Sequence, residues 1–545
     1  MSTETAHVDR FVLNGLPPAE QWPEITLSEP LFLYPSRLNA AAVLLDGAIA
    51  QGWGQRPCMG LGDDMWTYAD VYHCANRIAA VLVEDYEIVP GNRVLLRGAN
   101  APWMVAAWFA VLKAGAVAVT TMPLLRAQEL AQVCAKCDPS VGLCAQGLEA
   151  ELQEVTDGPI AIWGPAGDLA AAAATKSAEF TAIDTAATDP ALLACTSGTT
   201  GVPKVAAHFH RDLLVIADAF APLLKALPDD VFVGSPPLAF TFGLGGEVVF
   251  PMRVGACTWF CEEPGPAALA NLIAERRATV CFSSPTAYRA MLALEPRPDL
   301  SSLRRAVSAG EWLPRATFEQ VQAELGLRLI DGIGSTELLH IFISASDDDI
   351  RPGATGKPLP GWEAAIFDKD CNPVPPGEPG RLAVKGPIGC RYLNDARQST
   401  YVQNGWNFTG DVYTCDADGY FWYQARADDM IVSSGYNIAA PEVEEALLSH
   451  GAVAEAGVIG TPDTERGMVV HAFVHLCDPS AATEALAGEL QDHTKATIAP
   501  YKYPRRITFC AEPLPKTPTG KLQRRALAKL TELTELAELA ELAGA

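Results

Sequence analysis

From about residue 36, short Val-rich apolar runs alternate with stretches that are apolar at helical spacing, and this alternation narrows the possible folds most. RLNAAAVLLDGAIAQ reads as a helix, VLLRG from Val94 as a buried strand, and PWMVAAWFAVLKAG as a helix. AVAVTTM is again a strand, ELAQVCAKC a helix and SVGLCA a strand. Short strands rich in β-branched residues and separated by helices are the pattern of βαβ units, whose mostly parallel sheet is buried on both faces. The alternation returns further on: a helix from about Arg211, a strand VFVGSP, a helix over 269–276 and a strand ATVCFSSP.

From Gly353 the texture changes to Gly- and Pro-rich sequence with short alternating runs, GATGKPLPGWEAAIFDKDCNPVPPGEPGRLAVKG, which predicts a small antiparallel β unit. After Arg426 a third texture follows, DDMIVSSGYNIAAPEVEEALLSHGAVAEAGVIG, a strand, turn, helix and strand in a compact α+β piece. The expected division is therefore a large domain over 1–427 and a small one over 428–545, with the boundary at Ala427 and Asp428. In the tail LTELTELAELAELAGA the leucines drift round a helix at about 300° per three-residue step, so no coiled-coil stripe forms and a frayed terminal helix is expected.

The 545 residues carry 40 basic and 65 acidic side chains, a formal charge of −25. Such a field repels polyanions, which argues against nucleic acid or an anionic membrane as partner and leaves small anions to be bound by local donors. The start MSTETAHVDRF lacks a basic segment followed by an apolar one. The most membrane-like stretch, from Trp103, is broken by Lys113 and Gly115, too early for a span of about 20 residues. A buried helix, a Gly turn and a buried strand explain it. Among the 14 cysteines, Cys134 and Cys137 form a CxxC with Cys144 nearby, but no second CxxC or spaced His pair completes a zinc site. Reduced, mostly buried thiols and a cytoplasmic location are the expectation.

The stretch TSGTTGVPK, Thr196 to Lys204, is a different kind of signal. Gly198 and Gly201 allow tight turning with N–H groups pointing inward, Ser197, Thr199 and Thr200 add hydroxyl donors, and Lys204 adds charge. The apolar ALLACT before it suits a strand, so the loop leaves a sheet edge, where ligands usually bind. It is not the GxxxxGK[ST] phosphate loop, because Val and Pro separate Gly201 from Lys204 and Pro203 delays any helix. On composition alone a surface turn explains it equally well.

Four further stretches follow in order: DGIGSTE at 331–337, TGD at 409–411, RADDMIVSSGYNIAAPEVE from Arg426 and PKTPTGKLQR from Pro515. Together with TSGTTGVPK these resemble the phosphate-loop, nucleotide, ribose, hinge and C-terminal lysine motifs of the adenylate-forming superfamily, which includes acyl-CoA synthetases, luciferases and peptide-synthetase adenylation domains. The resemblance spans nearly the whole chain. It implies an α/β fold with a large N-terminal domain of mostly parallel βα layers plus a small β unit, and a small mobile α+β C-terminal domain. It also implies that ATP activates a carboxylate as acyl-AMP, that a thiol such as coenzyme A then displaces AMP, and that Mg²⁺ assists.

Carried over residue by residue, Glu337 would hold Mg²⁺, Thr336 would donate to the α-phosphate, and Asp411 with Arg426 would grip the ribose. Thr196, Ser197, Gly198, Thr199, Thr200, Gly201 and Lys204 match the cradle for the phosphates that leave. Ser308, Gly310 and Glu311, with Asp331 and Gly332, match the adenine wall. Lys521 matches the catalytic lysine, Asp428 the hinge, and Ser434 and Gly435 the approach of the pantetheine arm. The family usually has Gly before the ribose arginine, whereas this chain has Ala425.

PPLAFTFGLGGEVVFPM from Pro236 and DGIGSTELLHIFIS from Asp331 resemble the acyl-pocket segments of 2-aminobenzoate– and benzoate–CoA ligases. The resemblance places Phe240, Thr241, Phe242, Gly334, His340 and Ile341 around a small aromatic carboxylate. Gly334 is expected to leave room for a flat ring, His340 to bond a carboxylate, and the Thr241 hydroxyl to recognise a ring substituent. Lys502, Arg505 and Arg506 are candidate contacts for the CoA phosphates because they are local basic groups. A carrier-protein-loading enzyme would share nearly every motif, as would a luciferase-like oxygenase. A binding protein on an inactive fold would be expected to lack Glu337, Lys521 or the loop glycines. A monomer or homodimer is expected.

Overall fold

The computed structural model describes residues 4–27, 31–196, 203–263, 265–426, 430–433, 436–463, 467–516 and 522–530. The predicted alternation condenses into two large sheets. One has six strands in the order Ile160–Trp163, Val141–Ala145, Arg93–Arg97, Val117–Thr121, Pro190–Thr196 and Lys204–Phe209. Its first five strands are parallel and the last pairs antiparallel to its neighbour. The other has nine strands around a parallel centre built from Val231–Gly234, Cys257–Phe260, Val280–Ser283, Arg305–Ser308 and Ile330–Gly334. Antiparallel strands close its two ends.

The helix Pro102–Lys113 explains why the membrane-like stretch is so apolar. It touches strands of both sheets, and all but one of its twelve residues are buried. A helix enclosed on every side needs no polar face. Lys113 is fully buried at its end, bonded to Asp46 and set over the Tyr72 ring, and Gly115 turns the chain at φ +67° into the strand Val117–Thr121. No described helix is long and apolar enough to cross a membrane.

One strand was passed over in the sequence. Lys204–Phe209 follows the Gly/Ser/Thr loop directly, and the helix His210–Leu224 starts only afterwards. Five of its six residues are buried, so VAAHF carries no alternation to betray it. The loop therefore joins two antiparallel neighbours rather than a strand and a helix.

The Gly- and Pro-rich region forms an antiparallel sheet of Glu363–Phe367, Gly380–Lys385, Val402–Gln403, Trp406–Cys415 and Phe421–Arg426. Beyond it lie the hairpin Met430–Ser433 and Tyr436–Ala439, the helix Ala440–Leu448, and the strands Val453–Asp463, Gly467–Leu476 and Arg506–Cys510, packed around their own apolar cluster. The molecule is thus an α/β fold with parallel sheets, a small β unit and a C-terminal α+β piece.

Gly356 ties the antiparallel sheet to the edge of the nine-stranded one. Its carbonyl accepts from the Phe421 N–H, its φ is +131°, and a Cβ there would fall 2.2 Å from the Ser344 backbone. Gly356→Ala should therefore cost about 3 kcal/mol from backbone strain and overpacking. A urea titration of the variant should show a clearly lower midpoint; an unchanged midpoint would contradict this account.

Candidate active site

The antiparallel sheet places the first pair of candidate side chains. Asp411 and Arg426 are direct cross-strand partners in register, so both side chains leave the same face. Arg426 Nη1 donates to Asp411 Oδ1 at 3.0 Å, and the Asp411 charge raises the guanidinium further above its usual range. A carboxylate acceptor and a fork of donors are what a vicinal diol requires. Ala425 is fully buried beside them, so the methyl that departs from the usual glycine packs into the protein.

These two residues line a cleft of about 560 Å³. Across it stand the C-terminal ends of parallel strands, where open α/β sheets bind their ligands. Ser308 ends the strand Arg305–Ser308, and Gly310 follows at φ +88°. The Glu311 carboxylate accepts from the Thr286 hydroxyl and N–H. Trp312 stacks with Tyr423 at 6.5 Å and also lines the cleft, a flat wall that the sequence reading left out although Trp312 directly follows the SAGE motif. Ser308 Oγ and Asp331 Oδ1 are shut from solvent with no partner among the described residues. Burial pushes the Asp331 carboxyl up to about 8, with the Gly332 N–H opposing.

Thr336 and Glu337 sit on the short turn Thr336–Leu338 that follows the strand Ile330–Gly334. Glu337 is buried; it accepts from the Tyr392 hydroxyl at 2.5 Å and lies 3.5 Å from Lys204 Nζ. Lys204 also lies over the rings of Tyr392 and Tyr401. His208 Nε2 meets the Thr336 carbonyl at 2.8 Å. Tyr392, Tyr401 and His208 were missed in the sequence, because no spacing links them to the motif they support. Thr196 and Lys204 are register partners, so the two ends of the loop are held together, with Thr196 Oγ1 buried and without a partner among the described residues. Ser197, Gly198, Thr199, Thr200 and Gly201 lie outside the described residues.

Among the described residues no group of three or more His, Cys, Asp and Glu side chains could cage a metal. A single buried carboxylate beside a lysine instead suits Mg²⁺, which takes one or two carboxylates and completes its shell with phosphate oxygens and water. Glu337 fits that role.

His340 stands at the start of the strand Ile341–Ser344. Its ring lies among Phe220, Phe242, Phe250 and Phe282, with centroids 4.7–6.4 Å away, and the Phe242 backbone lies within its reach. Burial pushes its pKa down to about 3, so the imidazole is neutral. Phe240, Thr241 and Phe242 open the short helix Thr241–Leu244, which runs into a π-helical turn, Gly245–Val249. Phe220, Phe250 and Phe282 come from three other elements and were not singled out in the sequence, although Phe250 lies within the segment quoted from Pro236. Ile341 packs on Gly332. Gly334 answers first to the facing strand: a Cβ would fall 2.7 Å from the His340 carbonyl oxygen, so backbone proximity alone demands a glycine there.

The far wall of the cleft comes from the C-terminal piece, including Glu444, Glu455, Lys516, Leu522 and Arg524. Arg524 bonds both oxygens of Glu444, and Lys516 pairs with Glu455 at 2.6 Å. Lys521, Asp428, Ser434 and Gly435 lie outside the described residues, although Leu522, next to Lys521, faces the cleft. Of the three basic candidates for CoA, Lys502 is engaged with both oxygens of Glu442 and Arg505 bonds the Tyr503 hydroxyl.

The profile of the AMP-binding enzyme family matches residues 48–391, and that of the AMP-binding enzyme C-terminal domain matches 442–521. The chain belongs to the AMP-binding enzyme family. The benzoate–CoA ligase of Thauera aromatica is 34% identical over 509 residues, covering 91% of this chain and 96% of its own. The 3-hydroxybenzoate–CoA ligase of Aromatoleum sp. (strain CIB) is 30% identical over 512 residues, covering 90% and 97%. The crystal structure of the anthranilate CoA ligase AuaEII in complex with anthranoyl-AMP superposes with a TM-score of 0.87 at 32% identity, covering 92% of this chain and 99% of that one. This AMP-binding enzyme therefore shares length and fold with acid–thiol ligases.

Asp331 gives a test of the cleft's electrostatics. Its folded pKa lies above the unfolded value near 4, so between about 4 and 8 the folded state keeps a proton that the unfolded chain releases. This group's contribution to stability therefore falls as pH rises through that window. Asp331→Asn should gain on the wild type as pH goes from 5 to 8 in denaturant melts. Parallel pH profiles would refute it.

Proposed function

We propose that this protein is an ATP-dependent aryl-CoA ligase. It activates an aromatic carboxylate of the 2-aminobenzoate or benzoate class as acyl-AMP, then forms the CoA thioester and releases AMP and pyrophosphate. The observation that carries the reading is the aromatic enclosure around neutral His340, joined to the nucleotide cleft through Gly332 and Gly334. Four phenylalanines packed around His340 offer an apolar surface suited to a ring, and Gly334 of the cleft lining pairs with Ile341, the next residue after His340.

The first half-reaction sets an anion against an anion, so rate must come from positioning and fixed positive charge. In this reading Asp411 and Arg426 hold the ribose diol, and Trp312 and Tyr423 flank the adenine. Thr336 donates to the α-phosphate. Lys204 and the loop that it closes receive the departing β- and γ-phosphates. Mg²⁺ held by Glu337 would neutralise phosphate charge. Lys521 bridges carboxylate and α-phosphate, and Gly435 admits the pantetheine arm after the small domain, 428–545, turns about Asp428. All fourteen cysteines are free thiols, which supports a reducing, cytoplasmic setting.

The deciding experiment is AMP release with ATP, Mg²⁺ and CoA against benzoate, 2-aminobenzoate, hydroxybenzoates and short fatty acids. Thioester and AMP with an aryl acid are expected. Pyrophosphate exchange without thioester would transfer the reading to an enzyme that loads a carrier protein, and no turnover would overturn it. Lys521→Ala should lower adenylation by about 10²–10³-fold, or 3–4 kcal/mol, yet spare thioester formation from supplied acyl-AMP. Equal loss of both halves would remove Lys521 from that role.

A further inference from the structure

Pro441, Glu444 and Leu448 line the cleft from one stripe of the helix Ala440–Leu448. Glu445 stands at the edge of that stripe, one turn from both Pro441 and Leu448. The helix packs against the strand Phe421–Arg426, which carries Arg426, and against the helix Arg315–Leu325.

The helix Arg315–Leu325 starts just after Trp312 and Pro314, both of which line the cleft. The first N–H groups of a helix have no partner within it, and a side chain at the cap position usually supplies one. Here that position is held by Pro314, which has no side-chain acceptor. The acceptor comes instead from the C-terminal piece, because the Arg315 N–H donates to Glu445 Oε1 at 3.0 Å. A carboxylate at this end also meets the positive pole of the helix. The Arg315 side chain turns along its own helix to Glu319 at 2.8 Å, so Glu445 reads the backbone.

The preceding residue, Glu444, accepts from the Val458 N–H and, through both oxygens, from Arg524, which closely follows Lys521 in the chain. Two consecutive glutamates therefore join the body of the α/β fold to the segment after Lys521. One does so through a backbone donor and the other through a guanidinium.

We propose that Glu445 is a positioning residue for adenylation: by capping the helix Arg315–Leu325 it docks the C-terminal piece with Leu522 and Arg524 against the cleft. This rests on the ligase reading, in which Lys521 serves the first half-reaction and the small domain turns before the second. Leu522 and Arg524 line the cleft together with Asp411 and Arg426, so the docked arrangement suits the first half. Turning would break the cap, which makes the bond a support for adenylation and a brake on the step that follows.

The test removes the bond from either side. Glu445→Ala deletes the acceptor. Arg315→Pro deletes the donor, at a helix position that favours proline and after a Pro314 whose extended backbone tolerates one. Each should lower pyrophosphate exchange with an accepted aryl acid by about 5- to 30-fold, yet spare or raise thioester formation from supplied acyl-AMP. Glu445→Gln, which keeps a carbonyl acceptor, should stay closer to the wild type. The double variant should be no worse than either single one, since both changes remove the same bond. Equal loss of both half-reactions, or losses that multiply in the double variant, would overturn the proposal. If Arg315→Pro does not fold, Glu445→Ala and Glu445→Gln still decide it. Hydrogen exchange reads the dock without substrate: the Arg315 amide should exchange faster in Glu445→Ala, and unchanged protection would also overturn the proposal. A wild type inert toward every aryl acid would strike the ligase reading, whereas the exchange result would still decide whether Glu445 docks the C-terminal piece.

Discussion

A carboxylate taken out of water must be compensated, and Glu337 is compensated by groups from two distant parts of the chain. Lys204 reaches it from the strand after the loop, and Tyr392 reaches it from 55 residues further along. Neither contact is strong alone, since a buried ion pair recovers little more than its desolvation. Their value lies in registration: the six-stranded sheet, the end of the nine-stranded one and the segment around Tyr392 are held to one geometry. Arg391, fully buried over Phe209 and Trp22 and paired with Asp212 at 3.4 Å, anchors that segment from beneath. The surroundings of Glu337 are thus assembled by long-range contacts in a protein whose overall charge is −25.

The legible part of the fold was the part governed by period. Arg93–Arg97, Val117–Thr121 and Val141–Ala145 emerge from short β-branched runs, and the buried helix Pro102–Lys113 from a stretch too polar at Lys113 to span a membrane. Lys204–Phe209 escaped because a strand buried on both faces has no alternation, and VAAHF has too little β-branching to announce itself. In the candidate site, motif resemblance pointed to Asp411, Arg426, Thr336 and Glu337; the structure pairs Asp411 with Arg426 across neighbouring strands, while Thr336 and Glu337 are chain neighbours on one turn. The resemblance did not point to Trp312, Tyr392 or His208, nor to Phe220 and Phe282 beside His340, which depend on which elements become neighbours. Gly334 shows the opposite failure: the residue was noticed, but the facing backbone demands it before any ligand does.

Residues in the C-terminal piece carry a similar lesson about charge. Lys502 looked available for phosphate because the chain is acidic, yet acidity is what supplies Glu442 to neutralise it. Lys516 with Glu455 and Arg524 with Glu444 follow the same logic along the cleft. Basic side chains that remain for ligands are better sought where a local partner is geometrically denied than where the sequence is locally positive.

The strand Lys204–Phe209 has one more consequence. Lys204 and His208 are four residues apart, an even number, so both project from the same face of the strand, and both act on the turn at 336–338. Thr196 opposite Lys204 fixes the strand's phase. Loop length and parity are therefore one variable: a strand that slid by a single position to absorb a longer loop would turn the lysine and the histidine away together. The hairpin works as a ruler graduated in pairs: an even-numbered slip would keep both side chains on this face but carry them about 7 Å or more along it, away from the turn.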